Sequence, residues 1–203
     1  MPGYSLVMQV DLIPVTSRDA ERIRRITSLY RTSCKPIVFS GRVSAILKDQ
    51  FNISQKNMYF AELDGGPKFS ALQEKCRRCE AASAELAIQT LNVPDIAIER
   101  AQGNEFNLEI ISPLSGRWFR TLMQLDSSLF RLTRAVSFNK FDSGDAARLV
   151  TPSIRAAIRL SEIALAHEND FDKEGNLVSR PYSRNSLKTS RANKKAERAG
   201  VTV

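Results

Sequence analysis

The sequence is poor in the residue types that carry out chemistry. It has one histidine, His167, and three cysteines, Cys34, Cys76 and Cys79. It has no glycine-rich phosphate loop, no G-x-S-x-G elbow and no pair of acids at a spacing that implies hydrolysis. An enzyme is therefore not expected, and no small-molecule substrate is inferred. His167 falls at the end of the last expected helix, where an imidazolium suits the negative helix terminus. An odd, sparse set of cysteines is a poor disulfide framework and agrees with a reducing compartment. Cys76 and Cys79 form a C-x-x-C whose sulfurs share one helix face, but zinc would need both Cys34 and His167 to converge on them. A redox pair would open a helix after a strand, and these two lie in mid-helix. Core packing is expected for them, with no metal and no cofactor. No apolar run approaches bilayer length, and Met1–Val7 lacks the basic start and long apolar stretch of a signal peptide. The expectation is a cytoplasmic protein with no membrane partner.

What the chain has is positive charge. Thirty Lys and Arg against 22 Asp and Glu give a formal charge of +8 over 203 residues, which points to a polyanionic partner. Much of the excess lies in the C-terminal segment, where Arg180, Arg184, Lys188, Arg191, Lys194, Lys195 and Arg198 face a single acid, Glu197. From Glu168 on, the chain is first acidic and turn-rich, then short of large apolar residues. Such a composition buries too little surface to offset the entropy of ordering, so residues 168–203 read as a disordered basic tail. A solubilising tail and a DNA-binding one fit this equally.

The most informative stretch runs from Asn104 to His167. Phe106, Leu108 and Ile110 alternate with Glu105, Asn107 and Glu109, the pattern of a half-buried strand. Ser112 and Pro113 then suit a helix N-cap and first helical position. Leu114, Trp118, Leu122, Leu125, Leu129, Leu132 and Val136 recur at spacings of three and four, one stripe of an amphipathic helix. A break at Asn139–Gly144 precedes a second helix with Ala147, Val150, Ile154, Ile158, Leu160, Ile163 and Leu165 as its apolar set. Pro152 either occupies its first position, after Thr151 as N-cap, or kinks it; the first option is favoured, with a short helical turn before it. Strand, helix, turn, helix is the outline of a ribbon-helix-helix module. In that module the strand pairs antiparallel with its copy in a second chain, and the ribbon enters the major groove of double-stranded DNA. A core strand beside a helical hairpin in an ordinary α+β domain has the same outline.

The residues Leu108-Glu-Ile-Ile-Ser-Pro-Leu-Ser115 and Trp118-Phe-Arg-Thr-Leu-Met-Gln-Leu-Asp126 resemble a block of the AcaB-like transcriptional regulators of conjugative plasmids and integrating conjugative elements. The likeness covers about a third of the chain, from near Phe106 to Val136. It implies a bacterial DNA-binding activator with a ribbon-helix-helix core. In the homodimer so implied, Phe106, Leu108 and Ile110 face the dimer core, while Glu105, Asn107 and Glu109 meet base edges. Asparagine can pair bidentately with adenine, and glutamate can accept from cytosine. Arg117, Arg120, Lys140, Arg148 and Arg155 are the phosphate partners, with the helix start near Ser143 or Thr151 and the tail cations Arg184, Lys188, Arg191, Lys194 and Lys195. Two carboxylates near phosphates oppose this reading unless those cations offset them.

Upstream, Leu6, Met8, Val10 and Leu12 alternate in a first strand, Ser5–Ile13, stopped by Pro14. Arg18–Tyr30 has a helical stripe with Arg18, Arg22 and Arg25 opposite it. Ile37–Phe39 reads as a possible strand, and Ser40 caps a short helix through Phe51. This is a second, weaker strand-helix-helix candidate. A strand over Asn57–Leu63, a turn at Asp64–Pro67, a helix from Lys68 to about Leu91 and a short strand at Ile96–Ile98 complete the pattern. The whole reads as an α+β, mostly helical chain in three parts: an N-terminal strand/helix region (1–103), the ribbon-helix-helix-like core (104–167) and the tail (168–203). Its leading function is sequence-specific DNA-binding regulation as a homodimer. The rivals are a non-enzymatic interaction protein of a conjugation or mobile-element system, and a nucleoid or RNA-binding protein that uses the tail.

Overall fold

A computed structural model of the chain describes residues 7–8, 32–93 and 102–178. Its strands are short: β1 (Val7–Met8), β2 (Thr32–Cys34), β3 (Ile37–Val38), β4 (Asn104–Phe106) and β5 (Leu108–Ile110). β2 pairs antiparallel with β5, Thr32 facing Ile110 and Cys34 facing Leu108. β3 pairs antiparallel with β4 in the same register, Ile37 facing Glu105 and Val38 facing Asn104. Between them Pro36 has no N–H to give to the ladder, yet its carbonyl accepts from the Phe106 N–H at 3.0 Å. Residues 32–38 and 104–110 thus form one interrupted two-stranded ribbon. β1 runs parallel along the other edge of β4.

The alternation expected in the central strand holds, with Phe106, Leu108 and Ile110 buried. Its partner differs from the one the ribbon-helix-helix outline supplies. The antiparallel neighbour is Thr32–Val38 of the same chain, both edges of β4 are filled, and the apolar face joins the chain's own core. A partner in the same chain costs only loop closure, whereas a second copy must also offset the lost freedom of association. Of the expected first strand, only Val7–Met8 lies among the described residues. The Arg18–Tyr30 helix and the Ile96–Ile98 strand lie outside them.

Ser40 caps α1 (Gly41–Ile46), its hydroxyl accepting from the Val43 N–H at 3.4 Å. This helix was expected to stop at Phe51. Instead it passes through a widened π-type turn, Leu47–Phe51, into α2 (Asn52–Asp64), so the stretch expected as strand, Asn57–Leu63, is helical. Phe51, Ser54, Gln55, Met58 and Ala61 are buried, and those spacings of three and four bury one face of a helix, not alternate residues of a strand. The Asp64–Pro67 turn is the junction of two helices. Gly65 ends α2 in the left-handed region (φ 64°), and Pro67 opens α3 (Pro67–Thr90).

α4 (Pro113–Ser137) begins as the sequence directs. Ser112 Oγ accepts from the Ser115 N–H and Ser115 Oγ accepts from the Ser112 N–H, both at 3.1 Å, a reciprocal cap. The stripe from Leu114 to Leu132 is buried, with Trp118 fully enclosed and stacked on Phe51 at 5.2 Å between centroids. α5 (Ser143–Leu165) begins earlier than expected, with Asp142 as its N-cap accepting from the Asp145 N–H at 2.9 Å. Thr151 is not the cap, and Pro152 is internal. Pro152 lies on the exposed side, where a missing N–H leaves no buried carbonyl without a donor. The buried face of α5 also departs from expectation: Ala147, Ile158 and Leu165 are exposed, while Ala146, Ala157 and Ala164 pack inward.

α3 runs parallel to α4 and antiparallel to α5. Glu80 meets Arg117 and the Thr90 carbonyl meets Arg131, whereas Ser153 donates to the Ala82 carbonyl and Lys68 to that of Ala166. α2 closes the other side, with Ser54 and Ser161 hydroxyls 3.2 Å apart. One apolar core takes side chains from Val38 to Phe171.

Three charged side chains fasten the ends of neighbouring elements. Glu62 of α2 accepts from the Leu114 N–H at 2.7 Å, holding the start of α4. Asp126 of α4 accepts from the N–H groups of Phe39 and Ser40 at 3.0 and 2.7 Å, fixing the passage from β3 to α1. Lys68, almost wholly buried, donates to the Ala166 carbonyl at 2.6 Å, at the end of α5. Just beyond, the acidic stretch expected to begin the tail is folded. Glu168–Asp170 forms a 3-10 turn, and Phe171 bridges to Leu177 and is buried. Gly175 (φ 81°) approaches α3 so closely that a Cβ there would lie 2.8 Å from the Pro67 carbonyl oxygen. Residues 179–203, with all the tail cations, lie outside the described residues.

Burial pushes the Asp126 carboxyl above its ordinary range, and its two backbone hydrogen bonds pull the other way. Asp126→Ala leaves the Phe39 and Ser40 N–H groups without that acceptor and is expected to cost about 1–3 kcal/mol in chemical denaturation. Because the folded carboxyl holds its proton more tightly than the unfolded one, its contribution is most favourable below the ordinary aspartate range. It should decline as pH rises through that range, a dependence that Asp126→Asn should lack.

Candidate nucleic-acid interface

On the two-stranded ribbon, residues that face each other across the ladder point the same way. Ser33 pairs with Glu109 and Ile37 with Glu105, and the shared register sets Lys35 opposite Asn107. Ser33, Lys35, Ile37 and Asn107 are exposed, while Glu105 and Glu109 are half-buried. The structure thus gathers the three expected base-reading residues on one outward face and adds Ser33, Lys35 and Ile37, which sequence reasoning missed. The missed strand, Thr32–Cys34, has three residues and is cut off by Pro36. Its alternation shows only when it is read across the proline with Ile37–Val38.

The expected phosphate partners do not all point at that face. Arg117 is committed to α3: its Nε and Nη2 donate to Glu80 Oε1 and Oε2 at 2.8 and 2.6 Å. The guanidinium holds the Glu80 carboxyl below the usual carboxylate range. Arg117 therefore joins two helices of the bundle. Arg120, one turn further, is exposed. Lys140 follows α4, its backbone N–H closing on the Ala135 carbonyl at 2.8 Å. Ser143 is the first residue of α5 and is exposed. Arg148 makes an exposed pair with Asp145 at 3.3 Å, and the Thr151 hydroxyl donates to the Ala147 carbonyl at 2.6 Å inside the helix. Arg155 is exposed on α5.

A groove of about 300 Å³ opens between the end of α4 and the start of α5. Leu132, Val136, Ala146 and Val150 line it, with Ser143 and Arg42 at its rim. The cysteines bear no resemblance to a reactive pair. Burial, with help from the Glu80 charge, pushes the Cys76 thiol up to about 11, and burial with neighbouring negative charge pushes Cys79 up to about 12. Cys34, half-buried on β2, is raised by burial. No group of three metal-ligating side chains converges among the described residues. His167 is exposed, its Nδ1 accepting from the Asn169 N–H at 3.3 Å. Among the described residues no helix is long and apolar enough to cross a membrane.

No protein-family model and no curated protein matches the sequence. Among solved structures, the fold is similar to that of selenomethionine-containing AcaB from uropathogenic E. coli. The TM-score is 0.56 at 14% identity, over 86% of this chain and 91% of that one. At that identity the likeness is one of fold, an AcaB-like one, and it agrees with the resemblance in Leu108–Asp126.

The thiols provide a check on this placement. At pH 8 an alkylating reagent is expected to label Cys34 first and to leave Cys76 and Cys79 unmodified until the chain unfolds, because only the thiolate reacts. Rapid labelling of Cys76 or Cys79 in the folded chain would contradict their place in the core.

Proposed function

We propose that this chain is a DNA-binding transcriptional regulator that works without enzymatic chemistry. The observation that carries the proposal is the ribbon face: Lys35 and Asn107 lie side by side on the paired segments 32–38 and 104–110, which β1 flanks along β4, on a fold similar to that of AcaB. A two-stranded ribbon fits the major groove, asparagine suits adenine, and lysine suits guanine O6 and N7. A single chain here supplies both strands, so one molecule can present a complete ribbon. The finer reading is an activator of conjugative transfer genes that binds as a homodimer, and the sequence resemblance supports it. β5 has no strand on its outer edge among the described residues, which leaves room for a second copy to add there.

A specific observation favours one other reading. Glu105 and Glu109 flank Asn107 on the same face, and carboxylates beside phosphates are unfavourable. That face also suits a basic protein partner of a conjugation or mobile-element system. The two readings separate on two exposed residues. If the ribbon reads DNA, Asn107→Ala and Lys35→Ala should each cost about 1–3 kcal/mol of discrimination between a selected duplex and a scrambled one, with little change in melting temperature. If both folded variants discriminate like the parent, the ribbon does not read bases and the protein-partner reading replaces this one.

A further inference from the structure

The sequence predicts a helix from Lys68 to about Leu91, and the buried apolar residues of α3 face the core. In the structure the outer face of α3 is a ridge between α4 and α5 that carries Lys75, Arg77 and Arg78, with Arg77 and Arg78 about two-thirds exposed. Arg159 of α5 flanks it on one side, with Arg155 exposed one turn before it on the same helix, and Arg120 of α4 on the other. Lys75, Arg78 and Arg159 are close enough to act on one another. The Lys75 ammonium is held below the usual lysine range first by burial and then by Arg78 and Arg159, and Arg120 is felt at Glu80. Against these six cations stand Glu74 and Glu162, with Glu85 two turns beyond Arg78 on α3, an excess of three, because Arg117 and Glu80 neutralise each other. Glu74 accepts from Arg77 and Arg78 at 3.2 and 2.7 Å, and Glu162 from Arg159 at 3.0 Å. All these groups are 42% exposed or more, and exposed pairs of this kind hold little in water, so an incoming phosphate can displace the carboxylates.

Resting on the DNA-binding reading, we propose that this three-helix ridge, Lys75, Arg77 and Arg78 with Arg120, Arg155 and Arg159, binds the phosphate backbone of duplex DNA. Neighbouring packed helices lie about 8–10 Å apart, so cations carried by α4, α3 and α5 are spread over more than one helix spacing. That spread lets them straddle the phosphate rows on either side of a groove about 6–12 Å wide. Five of the six are arginines, whose planar forks take phosphate oxygens two at a time. The ridge positions the chain on DNA and carries no base information.

The test compares two full-length variants with equal charge change. R78Q/R155Q removes two cations from the ridge, and K48Q/K173Q removes two exposed cations elsewhere. Affinities for a selected and a scrambled duplex are measured over a range of salt, with melts to confirm folding. On this proposal R78Q/R155Q weakens both duplexes alike and makes the slope of log K against log salt shallower by about two, while K48Q/K173Q leaves the slope near the parent's. Equal slopes for the two variants, with the parent still preferring the selected duplex, overturn the ridge and leave the regulator reading intact. A parent without sequence preference whose binding still falls only in R78Q/R155Q overturns the regulator reading and keeps the ridge. No duplex binding by the parent overturns both. Loss in R78Q/R155Q of binding to phosphatidylserine-containing vesicles, with duplex binding unchanged, assigns the ridge to a membrane surface and overturns the proposal.

Discussion

The pairing of residues 32–38 with residues 104–110 is the constraint on which the rest of the structure depends. It closes an excursion that contains α1, α2 and α3, and it delivers the chain to Ser112 in the position from which α4 starts. The apolar side of the ribbon, Val38, Phe106, Leu108 and Ile110, is buried in the same core as Trp118 and Phe51. The ribbon is therefore no detachable arm. Slipping its register by one residue turns Lys35 and Asn107 inward and the apolar set outward, which the core forbids.

Electrostatics fixes the joints that this pairing creates. Asp126 reaches from the middle of α4 to the backbone just past β3, so the first strand of the ribbon is held by the helix that follows the second. Glu62 does the same for the start of α4, and Lys68 for the end of α5. In each case a charge on one element meets the backbone groups at the end of another, where unpaired N–H or C=O groups collect. Buried or half-buried charges are thus used at joints, while the arginines of α3 and α5 stay near the surface. The former hold the scaffold, and the latter are exposed to solvent.

What was legible in the sequence was what neighbours in the chain decide. Ser112 and Pro113 start α4 as read, and its stripe from Leu114 to Leu132 is buried as read, because capping and helical spacing are local. The buried C-x-x-C was legible for the same reason. Asn57–Leu63 misled because an aromatic run with rough alternation imitates a strand. The helix wins through Phe51, Ser54 and Gln55, which belong to the preceding segment. Thr151 and Pro152 imitate a helix start, but Asp142 caps the helix nine residues earlier and Pro152 faces solvent. The remaining departures depend on partners far away. Glu80 claims Arg117 from 37 positions upstream, the start of α3 orders the acidic turn around Gly175, and Thr32–Val38 supplies the strand that a second chain was expected to bring.

The central claim is that one chain supplies both strands of the ribbon, and disulfide trapping tests it most directly. Ser33 and Glu109 face each other in the register, so the variant S33C/E109C in a C34S background places two thiols across the ladder. Mild oxidation followed by non-reducing electrophoresis should give a cross-linked species that still migrates as a single chain. A covalent dimer as the main product would mean that the central strand finds its antiparallel partner in a second copy, and the single-chain ribbon would be wrong.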